Sequence, residues 1–288
     1  TLLLKLSKNN MPKISIILPT YNGAKRIARA IQSVQKQSLR DWELLVVIDG
    51  STDGTFSVVS DIAKNDERIR IVNNKENQGI QKTLNNGIKK STGVYIARID
   101  DDDEWCDNEK LQKQFNFLES NPEYGLVGSG IVLVNKNGDE IDQYLFVEND
   151  NDIRKTFLSQ NHFAHPSVMF RKSIFEKTGL YSEKEEHKHV EDHEFWLRIG
   201  KYGKLKNLSE YLINYQIREG SISGRNKELQ LRRRLMLCIQ YRKDYPNFIK
   251  NFLKILFVYV GYVFVGWIFI RFPKIRGKIT SLYKKLSR

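Results

Sequence analysis

Four consecutive carboxylates, Asp100 to Asp103, stand directly after the apolar run Val94 to Ile99. At that spacing they repel one another, and either raised pKa values or a bound cation relieves the repulsion. Oxygen ligands without a nearby cysteine favour Mg²⁺ or Mn²⁺, which take one or two carboxylates and complete their shell with water and phosphate oxygens. A solvated acidic loop is the alternative. A further carboxylate, Asp49, ends another apolar run. Ionised, it only accepts hydrogen bonds, which suits a nucleobase ring N–H or a ribose hydroxyl. Asp49-Gly50 is equally an ordinary turn pair, and Ser51-Thr52-Asp53 an ordinary helix cap.

A third carboxylate is singled out by helical spacing. Asp192, Phe195, Trp196 and Ile199 recur at i, i+3, i+4 and i+7 and so share one helix face, while Glu194 and Arg198 form an i, i+4 pair on another. An acid heading an apolar stripe is partly buried and more basic than usual, as a proton acceptor needs. The alternative is an acid in the first helical turn that only complements the helix terminus. His187, His189 and His193 surround the same segment without the spacing of a zinc helix.

The elements that must position these groups alternate. Ile14–Leu18 reads as a buried strand closed by Pro19 and the turn Tyr21-Asn22-Gly23, followed by a helix carrying Ile27, Ala30, Ile31 and Val34. Glu43–Ile48 reads as a second strand, Thr55–Lys64 as a helix, Ile69–Val72 as a strand, Gly79–Lys90 as a helix and Val94–Ile99 as a strand. This alternation implies an α/β doubly wound, mixed but mostly parallel sheet covered on both faces. Ligands then bind beyond the carboxyl ends of the strands, where Thr20–Asn22, Asp49–Ser51 and Asp100–Asp103 converge. After a helix at Leu111–Leu118 the pattern loosens into a strand at Gly125–Val134, a turn at Asn137-Gly138 and a return through Ile141–Val147. No GxGxxG follows the first strand and no GxxxxGK[ST] occurs, which weakens dinucleotide and P-loop readings.

The segments ISIILPTYNG (14–23), VVIDGSTDGT (46–55), NQGI…LNNGI…GVYIARIDDDD (77–103), HPSVMFRKSIFEKTGLY (165–181) and EDHEFWLRI (191–199) together resemble the family 2 glycosyltransferases of the A-type fold, over about residues 13 to 223. The resemblance implies transfer of a sugar from a nucleotide donor, usually a UDP-sugar, with inversion at the anomeric carbon. It implies Asp49 as the nucleobase-binding aspartate and Asp100 with Asp102 as an Asp-x-Asp metal motif for Mn²⁺ or Mg²⁺, with Asp103 as the alternative second ligand. The donor side then comprises Pro19, Thr20, Tyr21, Asn22, Asp49, Lys82, Arg98, Asp100 and Asp101. Asp192 takes the place of the catalytic base, and His165, Glu191 and Trp196 fall on the acceptor side. Two departures stand out: Ile48 replaces the first acid of the usual Asp-Asp, and YQIREGSIS (215–223) lacks the usual histidine, leaving Arg218 or Arg225 to supply its charge.

Charge and apolar length are segregated. The chain carries a formal net charge of +13, yet residues 221–288 hold sixteen Lys or Arg against only Glu228 and Asp244, so the rest is nearly neutral and has no overall electrostatic reason to bind nucleic acid. Ile255–Ile270 is uncharged and lies between basic flanks. As a helix it spans roughly 24 Å, short of a hydrocarbon core of about 30 Å, and a crossing would carry one cationic flank to the far side. An interfacial or re-entrant helix on the cytoplasmic leaflet is the favoured expectation, with a single crossing or a core helix as alternatives. Residues 1–10 read as an extension before Met11, 11–223 as the catalytic domain with a nucleotide-sugar half (11–104) and an acceptor half (105–223), and 224–288 as a cationic, membrane-associating helical tail. Cys106 and Cys238 have no metal-like spacing.

The resemblance, taken with the basic apolar tail, implies an inverting, metal-dependent hexosyltransferase at the cytoplasmic face of the cell membrane, peripheral or monotopic. Its donor would be a UDP-hexose or UDP-N-acetylhexosamine and its acceptor a lipid-linked saccharide in O-antigen or capsule assembly. A nucleotidyltransferase and a non-catalytic membrane-bound sugar-binding protein are the competing classes. The first usually carries a Gly-rich, basic turn after the first strand, whereas PTYNGAKR has a single Gly.

Overall fold

The structure, a computed structural model, describes residues 12–217 and 226–271, with side chains described as far as Phe264. Two strands apolar along nearly their whole length set its centre: β1 (Ile14–Thr20) and β2 (Trp42–Asp49), every residue of which is buried. Full burial on both faces is what such runs require. They pair in parallel from Ile14 opposite Trp42 to Thr20 opposite Ile48, with β3 (Ile69–Asn74) outside β2 and β4 (Tyr95–Arg98) on the far side of β1.

Because successive strand side chains point to opposite faces, each strand feeds two cores. Ile16, Leu18, Leu44, Val46 and Ile48 pack with α1 (Ile27–Gln35), α2 (Thr55–Ala63) and α4 (Lys110–Ser120). Ile17, Leu45 and Val47 pack with α3 (Ile80–Lys90) and α7 (Glu191–Gly200). Helix α3 lies so close to the sheet that a Cβ on Gly87 would come within 2.8 Å of Val47 and 2.9 Å of Ile17.

The second half corrects the expectation of a mostly parallel sheet. Eight of the nine strands among the described residues run β3-β2-β1-β4-β8-β6-β9-β5, where β5 is Glu104–Trp105, β6 Tyr124–Val134, β8 Met169–Arg171 and β9 Lys204–Gln216. Strand β7 (Glu140–Tyr144) pairs only with β6. Only β6 and β9 are parallel in this half; β4–β8, β6–β8, β5–β9 and β6–β7 are antiparallel. The short turn at Asn137-Gly138, with Gly138 at φ 90°, permits no other direction for β7. Three-residue β8 is too short to show a period in the sequence. The small helices α5 (Asp150–Thr156) and α6 (Phe175–Thr178) fill the remaining face.

A second correction concerns the tail. Helices α8 (Lys227–Gln240) and α9 (Phe248–Arg271) form a hairpin, and Leu231, Leu237, Cys238, Tyr241, Tyr245 and Ile255 belong to the same core as α3 and α7. The Tyr241 hydroxyl donates to Glu194 Oε1 at 2.7 Å and the Tyr245 hydroxyl to the Leu197 carbonyl at 2.7 Å. The described part of the expected 224–288 unit, as far as Ile255, is therefore integral to the catalytic domain, because its apolar side chains complete a core that α7 alone leaves open. Among the described residues no helix is long and apolar enough to cross a membrane. The 1–10 extension, Arg218, Arg225 and the basic flank after Arg271 lie outside the described residues.

Candidate active site

The loop leaving β1 is stitched to the loop leaving β2. Asn22, at φ 51°, donates its N–H to Ser51 Oγ at 3.0 Å, and its Oδ1 accepts from the Thr52 N–H at 2.9 Å. Asp101 ties the same loop to the end of β4. It accepts from Thr20 Oγ1 at 2.6 Å and takes the Arg26 guanidinium through Nε at 2.8 Å and Nη2 at 2.9 Å. Gly23 makes this approach possible, since a Cβ there would lie 2.3 Å from Thr20 Oγ1 and 2.5 Å from Asp101 Oδ2.

These loops wall a cavity of about 850 Å³, within the range of small-molecule sites. Pro19, Thr20, Tyr21, Asp49, Arg98, Asp100, Asp101 and Asp102 line it, and so do His165, Glu191 and Asp192. Asn22, Lys82, Asp103 and Trp196 do not line it. Asn22 is occupied by the loop contact above, and Lys82 is exposed on the first turn of α3. Trp196 is fully buried among Phe163, Phe170 and Phe195, with its ring edge-on to His165. His187 and His193 are engaged by Ser182 Oγ at 2.7 Å and the Phe157 carbonyl at 2.6 Å.

Asp49 is held as an acceptor by Asn74 Nδ2 at 2.9 Å and by the backbone N–H groups of Gln78 and Gly79, each at 3.0 Å. Those N–H groups precede α3, so the carboxylate also meets the positive end of that helix. At the end of β4, buried Arg98 forks onto Asp100, Nη1 at 2.8 Å and Nη2 at 2.6 Å. Asp103 points inward: Oδ1 accepts from the Gln216 N–H at 2.9 Å and Oδ2 is buried without a partner among the described residues. Burial, and then repulsion from Asp100, push its carboxyl well above the usual range.

Asp192, which also lines the cavity, accepts from Asn161 Nδ2 at 2.8 Å and from the His193 N–H at 2.7 Å. Burial raises its pKa, and those hydrogen bonds and Arg98 oppose the rise. Neighbouring Glu191, with Oε2 buried and unpartnered, is pushed up to about 7 by burial and then by Asp192. His165 bonds the Tyr181 hydroxyl through Nε2 at 2.9 Å, and burial, followed by nearby Arg98, holds its pKa well below the usual value, so the ring is neutral. The cavity thus brings together a carboxylate and guanidinium cluster, Arg98 with Asp100, Asp101 and Asp102, and the buried acids Glu191 and Asp192.

The sequence gives no sign that Arg26, Lys188 and Gln230 line the cavity, and His189, weighed above only as a zinc ligand, lines it too. His189 carried a usable signal only in its backbone, φ 62°, a conformation rare outside glycine and frequent at functional sites. Gln230 lies on α8, in sequence far from every other lining residue.

Residues 15–179, more than half of the chain, match the family described as Glycosyl transferase family 2. The chain belongs to that family. It is 32% identical over 210 residues to the amylovoran biosynthesis glycosyltransferase AmsE of Erwinia amylovora, covering 72% of this chain and 76% of that one. It is 31% identical over 222 residues to the O-antigen biosynthesis glycosyltransferase WbnJ of Escherichia coli, covering 75% and 84%. In fold it is similar to S. aureus TarS 1-349 in complex with UDP-GlcNAc, at TM-score 0.67, 22% identity and coverage of 86% and 73%. It is also similar to the mannosyltransferase PcManGT from Pyrobaculum calidifontis in complex with GDP-Man and Mn²⁺, at TM-score 0.64, 19% identity and coverage of 85% and 69%.

Proposed function

We propose that this glycosyltransferase moves a hexose or N-acetylhexosamine from a UDP-sugar to a hydroxyl of a lipid-linked saccharide, with inversion, in cell-surface polysaccharide assembly at the cytoplasmic face of the membrane. The observation that carries the reading is the convergence on one cavity of Asp49, Arg98, Asp100 and Asp102 with Glu191 and Asp192. Single displacement needs charge neutralisation on the leaving diphosphate and one base on the attacking side, unlike the paired carboxylates of glycoside hydrolysis. The names of AmsE and WbnJ support the polysaccharide setting, and the UDP-GlcNAc of TarS supports the donor class.

Asp49 would accept from the uracil ring N–H, its carboxylate kept in place by the Gln78 and Gly79 amides. Arg98 would hold Asp100 in one orientation. Asp192, fixed by Asn161, would take the proton from the acceptor hydroxyl as its oxygen bonds to the anomeric carbon and the bond from that carbon to the diphosphate oxygen breaks. Neutral His165 can hydrogen-bond a sugar hydroxyl on the same side.

A divalent cation fits this donor set. Among the described residues no three His, Cys, Asp or Glu side chains form a closed metal cage, but Mg²⁺ and Mn²⁺ need only one or two protein carboxylates, and Asp100 and Asp102 both border the cavity. Asp102 is preferred to Asp103, which turns inward to Gln216. Bound there, the cation would neutralise charge on the leaving diphosphate. Incubating the full chain with a panel of nucleotide sugars, Mn²⁺ and lipid-linked saccharide acceptors, and following nucleoside diphosphate release and product anomer, tests the reading. Release from no donor, or a product that retains the donor configuration, would sink it.

A further inference from the structure

Helix α9 has two apolar faces and only one is covered. Phe248, Phe252, Ile255 and Tyr259, with Asn251, turn toward the protein. Ile249, Leu253, Phe257 and Val260 follow at spacings of four, four and three, which places them on one stripe of a 3.6-residue helix, opposite the covered face. They stay open to solvent: Ile249 is 70% and Phe257 82% exposed. An apolar stripe of this length is unusual on a soluble surface. No acid occurs between Asp244 and the end of the chain, while Lys250 and Lys254 lie exposed beside the stripe.

The hairpin carries this stripe toward the cavity. Lys227 lies over the Tyr262 ring at 6.0 Å and Arg232 Nε donates to the Tyr259 hydroxyl at 2.9 Å, so the far end of α9 runs beside the first turns of α8. Gln230, in those same turns, lines the cavity. One turn on, Arg233 donates to the Lys188 carbonyl at 2.5 Å, and Lys188 also lines the cavity.

We propose that the outer stripe of α9 seats the protein on an anionic lipid surface, and that the α8–α9 hairpin thereby holds the Lys188 and Gln230 wall of the cavity at that surface. The occupant is a bilayer face with anionic headgroups, because an uninterrupted apolar stripe flanked by lysines and free of acids matches the headgroup boundary. With its opposite face packed on the core, α9 lies along the surface. The purpose of this arrangement, delivery of an acceptor from the lipid, rests on the proposed transfer to a lipid-linked saccharide; the docking itself does not.

Full-length protein is sedimented with vesicles of phosphatidylcholine alone and of phosphatidylcholine mixed with phosphatidylglycerol. Binding to the mixed vesicles is expected to fall about tenfold or more in the Leu253→Ser, Phe257→Ser double variant. Lys250→Ala with Lys254→Ala should weaken binding to mixed vesicles only. Amide exchange over residues 226–230 should slow in the presence of mixed vesicles. Asp192→Asn should bind as the parent does, so a failure of the transfer reading leaves this result intact. Undiminished binding by the double serine variant, binding to neither vesicle, unchanged exchange at 226–230, or a dimer that the serine substitutions dissociate would each overturn the proposal.

Discussion

Arg98 grips Asp100 with both arms of its guanidinium, Nη1 to Oδ2 at 2.8 Å and Nη2 to Oδ1 at 2.6 Å, at the point where β4 opens into the cavity. The same buried cation lowers the proton affinity of Asp192, Glu191 and His165, which line the same cavity. One side chain therefore couples Asp100 electrostatically to Asp192 and Glu191, the groups to which the proposed function gives the diphosphate and the acceptor.

Arg98→Ala should cost about 3 kcal/mol of stability, because removing one partner of a largely buried ion pair leaves the other uncompensated. It should also abolish transfer. Arg98→Lys keeps the charge and loses the fork, so it should fold better than the alanine variant while transferring poorly. Thermal unfolding and donor turnover measured on the same preparations check both.

Asp102→Asn should abolish transfer with little loss of stability, since Asp102 is half-buried at the cavity wall and the substitution keeps its shape. A chelator should remove activity and Mn²⁺ or Mg²⁺ restore it. Full turnover in excess chelator would remove the cation from the account.

Glu191 supplies a pH signature. Its folded pKa of about 7 stands above the ordinary glutamate value, so the folded state binds more protons than the unfolded chain between the two. Its contribution to stability is fully present below the unfolded pKa and is lost as pH rises through about 7. Glu191→Gln should flatten that loss. An unfolding profile as steep in the glutamine variant as in the parent would place the titration elsewhere.

Leu237→Ala should destabilise the catalytic domain by about 2 to 5 kcal/mol, because Leu237 is fully buried in the core shared with α7. A chain ending at 224 should fail to fold, leaving Glu194 without Tyr241 and the Leu197 carbonyl without Tyr245. A well-folded, cooperative fragment in denaturant titration would show that α8 is an appendage after all.

The first half of the fold was legible because its signals are local. Continuous apolar runs such as Ile14–Leu18 and helical periods such as Ile27, Ala30, Ile31 and Val34 fix element type over a few residues, and the acids at strand ends then fall on one edge. The second half depends on distant pairings. Met169–Arg171 becomes a strand only because β4 and β6 flank it. Helix α8 shows weak amphipathicity with three consecutive arginines, and the core positions of Leu231 and Leu237 come from the surface it meets. The Asp192 helix face was readable from spacing, and its neighbour Arg198 does fork onto Glu194 at 2.8 Å. Lys188, His189 and Gln230 were not, since nothing in their own stretch of chain indicates which cavity they border.

The most direct test of the account is a comparison of the parent with Asp192→Asn in two assays, donor affinity by calorimetry and turnover with donor and acceptor saturating. General-base assistance is worth about 10² or more, so turnover should fall by at least that factor while donor affinity stays within about twofold, the carboxylate acting on the acceptor hydroxyl alone. Equal turnover in the two proteins, or a loss of donor affinity that accounts for the whole effect, would contradict the assignment of Asp192 as the base.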